Sequence, residues 1–225
     1  MTRFKESGAA GWTDINDLED LLRHDMLPTN DYKFSVSSPV GGISMTGNAS
    51  DFGSIKPVLF DEEDSEKPEW ADLTETYVAR DANNLYLGIK FKGGPYSTTL
   101  VSGEYLSYYI YFNAAQQDCD WYNAPVVLEL HGYYNGGETW EWRRGSRGSD
   151  PTPFTTTCTF AKADIMEIRI PLSELRGWIN AYQLADFPSG WDNKELFLRV
   201  SFSSNISNEQ QHESIGGECL ASGLD

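Results

Sequence analysis

Positive charge and cysteine are both scarce in this chain of 225 residues. Lys and Arg number 17 against 34 Asp and Glu, which gives a formal net charge of −17 at pH 7. Nucleic acids and anionic membranes are bound through clustered cations, so we expect neither as a partner. The cysteines, Cys119, Cys158 and Cys219, are too few for a disulfide scaffold and lack the spacing of a zinc site. At most one pair of them can form a disulfide.

Long apolar runs and catalytic motifs are also missing. No run approaches the roughly 18 apolar residues of a membrane-spanning helix, and the N-terminal residues 1–12 show no apolar signal-peptide core. The three histidines, His24, His131 and His212, are scattered, which argues against a histidine-based metal site. There is no nucleophile elbow, Ser-His-Asp pattern or phosphate loop. We therefore expect a protein that is not an enzyme.

Aromatic residues, in contrast, are abundant, at 13% of the chain. Aromatic side chains favour strands over helical bundles. Residues 1–33 differ from the rest and are predicted to form an N-terminal helical arm. Within it, residues 13–23 are predicted to form a short helix, because Thr13 can cap its N-terminus and Ile15 and Leu22 share one face. This arm either packs on the main domain or docks a partner.

From residue 34 to residue 225 the hydrophobic pattern has a period of two, which predicts one β-sandwich domain. Its turns are marked by Asp81–Asn84 and by the Asn-Gly pair of Asn135–Gly137, which favours a tight hairpin. Helical fragments are predicted at 172–176 and 181–185. The fold class is all-β, an antiparallel sandwich of immunoglobulin-like or jelly-roll-like type. Strands are predicted at 43–46, 58–59, 73–80, 85–91, 106–113, 126–133, 139–143, 154–160, 165–170 and 196–203.

A dense run of carboxylates, the acidic loop Phe60–Asp72, lies between two predicted strands. Calcium takes six to eight oxygen ligands, and such a loop supplies them in a small volume. The spacing is not that of an EF-hand, because the required glycine and final glutamate are missing. The alternative is a solvated acidic loop, which is the usual fate of a charge run.

Two aromatic pairs are candidates for sugar binding. Strand alternation places Trp140 and Trp142 on one face of their strand, with Glu141 and Arg143 on the other. Indole rings pack on the C–H faces of sugars, while charged side chains hydrogen-bond the hydroxyls. The alternative for the tryptophan pair is a place in the sandwich core. The predicted carbohydrate site comprises Trp121, Tyr122, Trp140, Trp142, Glu141 and Arg143.

Several segments together resemble the family 9 carbohydrate-binding modules and the wider DOMON-like sandwich superfamily, over roughly residues 42–203. A small-residue turn, an acidic loop, an "ARDxxNLYL" hairpin and an "E-hydrophobic-x-IPL" strand follow one another as in that family. Phe52 stands where the family has Trp. The segments are Gly47–Phe52, Leu59–Asp61 with Asp64, Asp72–Thr74, Tyr77–Leu87 and Met166–Leu172.

The resemblance implies a calcium-stabilised sandwich, with Asp61, Asp64 and Asp72 as the residues that match the family's acidic loop. It also implies a non-catalytic module that binds a poly- or oligosaccharide, as part of an extracellular or periplasmic protein. The jelly-roll glycosidase pattern of carboxylates is not present, which agrees with a module without catalysis. The competing hypothesis is a structural or assembly module that contacts a neighbouring domain or a second copy through its sheet edges.

The same superfamily also resembles haem-binding subunits of periplasmic oxidoreductases. There a Met and a basic or His ligand hold the iron. Met45, Met166, Lys90 and His131 are the residues of matching type here. No Cys-x-x-Cys-His is present, so this second alternative would require a non-covalent haem.

Overall fold

Strands dominate the computed structural model, as the period-two pattern predicts. The structure describes residues 43–61, 64, 66–113, 124, 126–146, 149–181 and 195–215, together with the backbone of 2–4, 13–15 and 34–35. One helix, α1, and one 3-10 turn, Ala49–Phe52, accompany the strands in these parts. The elements are β1 Thr2–Phe4, β2 Thr13–Ile15, β3 Phe34–Ser35, β4 Pro57–Phe60, β5 Leu73–Arg80, β6 Asn84–Phe91, β7 Tyr105–Asn113, β8 Val126–Tyr134, β9 Glu138–Gly145, β10 Thr152–Pro153, β11 Thr159–Lys162, β12 Met166–Pro171, α1 Leu172–Ala181, β13 Glu195–Ile206 and β14 Glu209–Ile215.

Apart from the two-stranded pair of β1 and β2, the described strands form two antiparallel sheets. The larger sheet has the order β10-β9-β8-β7-β13-β14, and β3 pairs with β13 beside this path. The smaller sheet has the order β11-β12-β6-β5-β4. Strands β1 and β2 pair only with each other. The predicted all-β antiparallel sandwich is therefore confirmed.

The main core lies between the two sheets. Alternate residues of each strand point into it, as the pleat requires. The Phe91 ring of the smaller sheet meets two rings of the larger one, with centroid distances of 6.0 Å to Tyr108 and 5.1 Å to Phe202. These three side chains are almost completely buried. Burial of this apolar surface is the main source of stability for such a fold.

A second, smaller cluster covers the outer face of the smaller sheet. Phe52 packs there against Tyr77, with ring centroids 5.3 Å apart. Gly88 makes room for it, because a Cβ at this position would lie 2.6 Å from Phe52 Cε2. The segment that carries Phe52 is anchored by Glu167, whose Oε2 accepts a hydrogen bond of 2.6 Å from the N–H of Gly47. The position of Phe52 thus depends on a buried carboxyl group.

Several element boundaries differ from the sequence prediction. Residues 43–46 are irregular rather than a strand, because the Asp51 carboxylate accepts hydrogen bonds from both the N–H and the hydroxyl of Thr46. Only the end of the predicted strand 154–160 is a strand. Its middle is irregular where Thr157 donates to Glu174. Strand β14 was not predicted.

The N-terminal prediction is corrected in part. Residues 13–15, the start of the predicted helix 13–23, form the strand β2. The remainder of that helix, and the larger part of the predicted arm 1–33, lie outside the described residues. The predicted fragment 172–176 belongs to the longer helix α1. Of the fragment predicted at 181–185, only Ala181 is described, and it ends α1.

Candidate functional site

The predicted tryptophan pair lies on the inner face of β9. Trp140 and Trp142 are partly buried and pack against the main core. Trp140 contacts Tyr108 and Phe160, with ring centroids 6.2 and 5.2 Å apart. Its indole N–H donates to Glu138 Oε1 over 2.7 Å, and the ammonium of Lys162 lies 5.1 Å from its ring centre. The packing therefore favours the core alternative for this pair.

Two other members of the predicted sugar site, Glu141 and Arg143, lie apart from these tryptophans. Glu141 and Arg143 project from the opposite face of β9, as the alternation predicts. Trp121 and Tyr122 lie outside the described residues. Of the four predicted residues that the structure describes, Trp140 and Trp142 lie on the inner face of β9, and Glu141 and Arg143 lie on its outer face among residues that were not predicted.

Those residues form the outer face of the larger sheet. Strand register places them in rows across β9, β8, β7 and β13, because paired residues of neighbouring strands point to the same side. One row joins Arg143, Glu129, Tyr109 and Ser201, and the next joins Glu141, His131, Ser107 and Ser203. We call this surface the tyrosine face; it comprises Tyr105, Ser107, Tyr109, Tyr111, Glu129, His131, Tyr133, Glu141, Arg143, Ser201 and Ser203.

Aromatic rings run along one end of the tyrosine face. The His131 ring stacks on that of Tyr133, with centroids 5.3 Å apart, and the Tyr105 ring lies 5.9 Å from that of His131. All three side chains are partly exposed. At the opposite end, Tyr111 is buried and packs with Tyr109. The accessible part of the tyrosine face is therefore the end that carries Tyr105, His131 and Tyr133.

Charged groups flank this row of rings. Arg143 Nε donates to Glu141 Oε1 over 2.6 Å, and the Tyr133 hydroxyl donates to Glu141 Oε2 over 3.5 Å. Both members of the Glu141–Arg143 pair keep about a quarter of their side-chain surface exposed, at 26% and 28%. Hydrogen-bonding groups of both signs thus stand beside the exposed rings.

A buried carboxylate lies beneath the rings. Glu129 Oε1 accepts a hydrogen bond of 2.7 Å from the Ser107 hydroxyl and lies 3.3 Å from His131 Nδ1. Burial by itself would raise the pKa of Glu129, but the hydrogen bonds from His131 and Ser107 outweigh it and hold the pKa below its usual value. Glu129 is therefore an anion at neutral pH, and it fixes the orientation of His131.

A signal for the tyrosine face was present in the sequence. In β7, Tyr105, Ser107, Tyr109 and Tyr111 follow one another at every second position, with apolar or aromatic residues between them. This alternation gives one tyrosine-rich face. The site predicted from the tryptophans did not include these positions.

The three aspartates predicted to bind calcium are not brought together as a ligand set. Asp72 is buried; its Oδ2 accepts the N–H of Asp64, and its Oδ1 has no partner among the described residues. The Asp64 carboxylate lies 3.5 Å from the Lys67 ammonium, while Asp61 is exposed. In the described part of the chain, no three His, Cys, Asp or Glu residues form a group able to hold an ion. Residues 62–63 lie outside that part, and calcium stays a prediction.

The predicted haem ligands do not converge either. Met166 lies in the main core, whereas His131 belongs to the tyrosine face of the other sheet. Lys90 pairs with Glu75 over 3.0 Å.

Cys158 is a free, buried thiol, and burial raises its pKa to about 12.

Comparison with known proteins gives no relative. No protein-family model, no curated protein and no solved structure matches this chain. The fold and site define a β-sandwich with an aromatic and charged outer face. The resemblance to family 9 modules and DOMON-like proteins remains a prediction from sequence. No helix in the described ranges has the length and apolarity needed to cross a membrane.

Proposed function

We propose that this protein is a non-catalytic carbohydrate-binding module whose sugar site is the exposed end of the tyrosine face. The observation that carries the proposal is the row Tyr105, His131 and Tyr133 beside the pair of Glu141 and Arg143. Ring surfaces pack on sugar C–H groups, and carboxylate and guanidinium groups hydrogen-bond hydroxyls. The site thus replaces the predicted tryptophans by tyrosine and histidine and keeps Glu141 and Arg143.

The arrangement supports binding rather than hydrolysis. Glu141 is paired with Arg143, and the buried Glu129 is engaged at Oε1 by Ser107 and His131. Glycoside hydrolysis needs two carboxyl groups that both reach the scissile bond, one of them protonated. The low pKa of Glu129 and its burial do not suit it to the role of the acid.

The test is affinity electrophoresis on a panel of polysaccharides, with a matched pair of variants. Tyr133→Ala removes a ring of the proposed site. Tyr134→Ala removes the neighbouring tyrosine, which is 41% exposed and points to the other side of the strand. We expect Tyr133→Ala to weaken binding about tenfold, the value of one aromatic contact, and Tyr134→Ala to leave it unchanged.

Two results would contradict the proposal. One is that no polysaccharide retards the folded protein. The other is that both variants bind as well as the parent chain. The first result would favour the structural or assembly alternative, for which the end strands of the larger sheet as described, β10 and β14, are the candidate pairing surfaces. Sedimentation velocity would then show self-association that depends on protein concentration.

A further inference from the structure

A pocket of about 410 Å³ opens where α1 begins, at the end of the smaller sheet. Its wall combines the turn between β5 and β6, residue Thr157, the end of β12 and the first turns of α1. The N–H of Leu172 donates to the carbonyl of Asn83 over 2.8 Å and ties the turn to the helix. The pocket belongs to different strands from the tyrosine face and has no part in the proposed sugar site.

Two arginines line this pocket, and none of its lining residues in the described part of the chain is acidic. Arg169 projects from β12 between Tyr86 and Thr159 of the neighbouring strands, and Arg176 stands on α1. Ser173 and Arg176 are three residues apart on the helix and so share one face. In a chain with 34 acidic and 17 basic residues, two arginines on one described wall are a local concentration of basic residues.

The carboxylates nearest the pocket are held by their own donors. Asp81 accepts the N–H groups of Asn83 and Asn84, each over 2.7 Å, and the Tyr86 hydroxyl over 2.6 Å. Glu174, in the first turn of α1, accepts the N–H of Thr157 over 2.9 Å. Neither Asp81 nor Glu174 is among the residues that line the pocket.

Backbone groups add to the positive potential. The helix α1 has ten residues, so its first turn carries N–H groups without partners in the helix and the positive end of the dipole. Ser173, which lies in this turn, lines the pocket together with Asn84. These groups only support the site; the two arginines define it.

We propose that the pocket binds a small polar molecule through one oxyanion group, a carboxylate, sulfate or phosphate. A guanidinium presents paired donors that match two oxygens of such a group. The volume lies at the small end of the range for ligand pockets and exceeds what a bare oxyanion fills. Thr157, Asn83 and Asn84 then face the neutral polar remainder of the molecule.

The experiment measures thermal stabilisation and calorimetric binding with four probes at constant ionic strength: sodium phosphate, sodium sulfate, sodium glucuronate and uncharged glucose. We expect saturable binding of at least one anion, since a ligand of the native state raises the melting temperature by mass action, and none of glucose. The anion that binds most tightly identifies the source of the oxyanion.

Variants localise the effect. Arg169→Gln should weaken anion binding at least tenfold, and Arg169→Lys should recover only part of it, because lysine offers a point charge instead of a fork. Lys92→Gln, which removes one positive charge at an exposed position elsewhere, should bind like the parent. If Arg169→Gln does not fold, the anion affinity of Arg176→Gln, which changes an exposed helical residue, tests the proposal.

Absence of saturable binding by all three anions would overturn the proposal. So would an equal loss in Lys92→Gln, which would indicate general charge screening. Tyr133→Ala should bind the anion normally, so failure of the anion site and failure of the sugar site are distinguishable.

Discussion

Replacement of Glu167 by glutamine should make the protein more stable in alkaline solution. Glu167 is completely buried; its Oε2 accepts the N–H of Gly47, and its Oε1 has no donor among the described residues. Burial raises the pKa of Glu167 to about 7, and the negative charge of Asp51 adds to the rise, against the hydrogen bond from Gly47. The folded protein therefore holds the proton more tightly than the unfolded chain does.

The size of the effect follows from the two pKa values. The pKa of Glu167 is 4.5 in the unfolded chain and about 7 in the folded protein. At about 1.36 kcal/mol per pKa unit, this difference lowers the folding stability by about 3 kcal/mol once Glu167 is ionised in both states. Since the folded-state pKa is the higher one, this stability is present below about pH 4.5 and is lost as the pH rises through 7. About 1 kcal/mol is already lost at pH 5.

The assay is urea unfolding of the parent chain and Glu167→Gln at pH 5 and pH 8. Glutamine stays uncharged and keeps a carbonyl for the Gly47 N–H. Relative to the parent, the variant should gain about 2.5 kcal/mol between the two pH values. Glu66→Gln, at an exposed position, controls for the general loss of a negative charge and should show no such gain. A difference between Glu167→Gln and the parent that is the same at both pH values would refute the reasoning.

Two further changes test the packing and the metal. Gly132→Ala should lower stability by about 1–3 kcal/mol in thermal melts, since the added Cβ would lie 2.7 Å from indole carbons of Trp140. The control is Gly137→Ala, where the added Cβ meets nothing within 4 Å. Equal melting temperatures of the two variants would contradict the close packing at Gly132. If the acidic loop holds calcium, a chelator should lower the melting temperature, because the ion stabilises only the native state. An unchanged melt, with no metal by elemental analysis, would remove the calcium site.

Most of the fold was predictable because alternation and turn chemistry act locally. Strand β5 was predicted with its observed bounds, and the turn after it forms because the Asp81 carboxylate accepts two backbone N–H groups that follow. Strand β14 was missed because its sequence, EQQHESI, has almost no apolar alternation. It is held by backbone pairing with β13 across a turn in which Ser207 and Asn208 both have positive φ.

The site was less predictable, because a strand pattern shows two faces without showing which one points inward. In β9, both faces carry large side chains. The register with β8 decides between them, since it places Trp142 opposite the buried Leu130 and Trp140 opposite Gly132. That pairing between strands is not encoded in the local pattern of β9. The sugar site was therefore predicted at the tryptophans and not at the tyrosines.

The two outer faces of the sandwich meet the same physical requirement in different ways. A sheet that packs on one side must make its other side compatible with water or cover it. The smaller sheet covers part of its outer face with Phe52 and Ile165. The larger sheet buries Tyr111 at one end of its outer face, and at the other end it carries partly exposed tyrosine and histidine rings beside the buried Glu129.

That difference favours a binding surface over a merely solvated one. Short polar side chains alone would make a sheet face compatible with water. Tyrosine gives a large, rigid contact area with few rotatable bonds, which lowers the entropy lost when a ligand binds. The partly exposed rings of Tyr105 and Tyr133 both contact His131, whose Nδ1 lies 2.7 Å from the Ser107 hydroxyl. Rings held in place before a ligand arrives are what sugar recognition requires, and solubility alone does not require them.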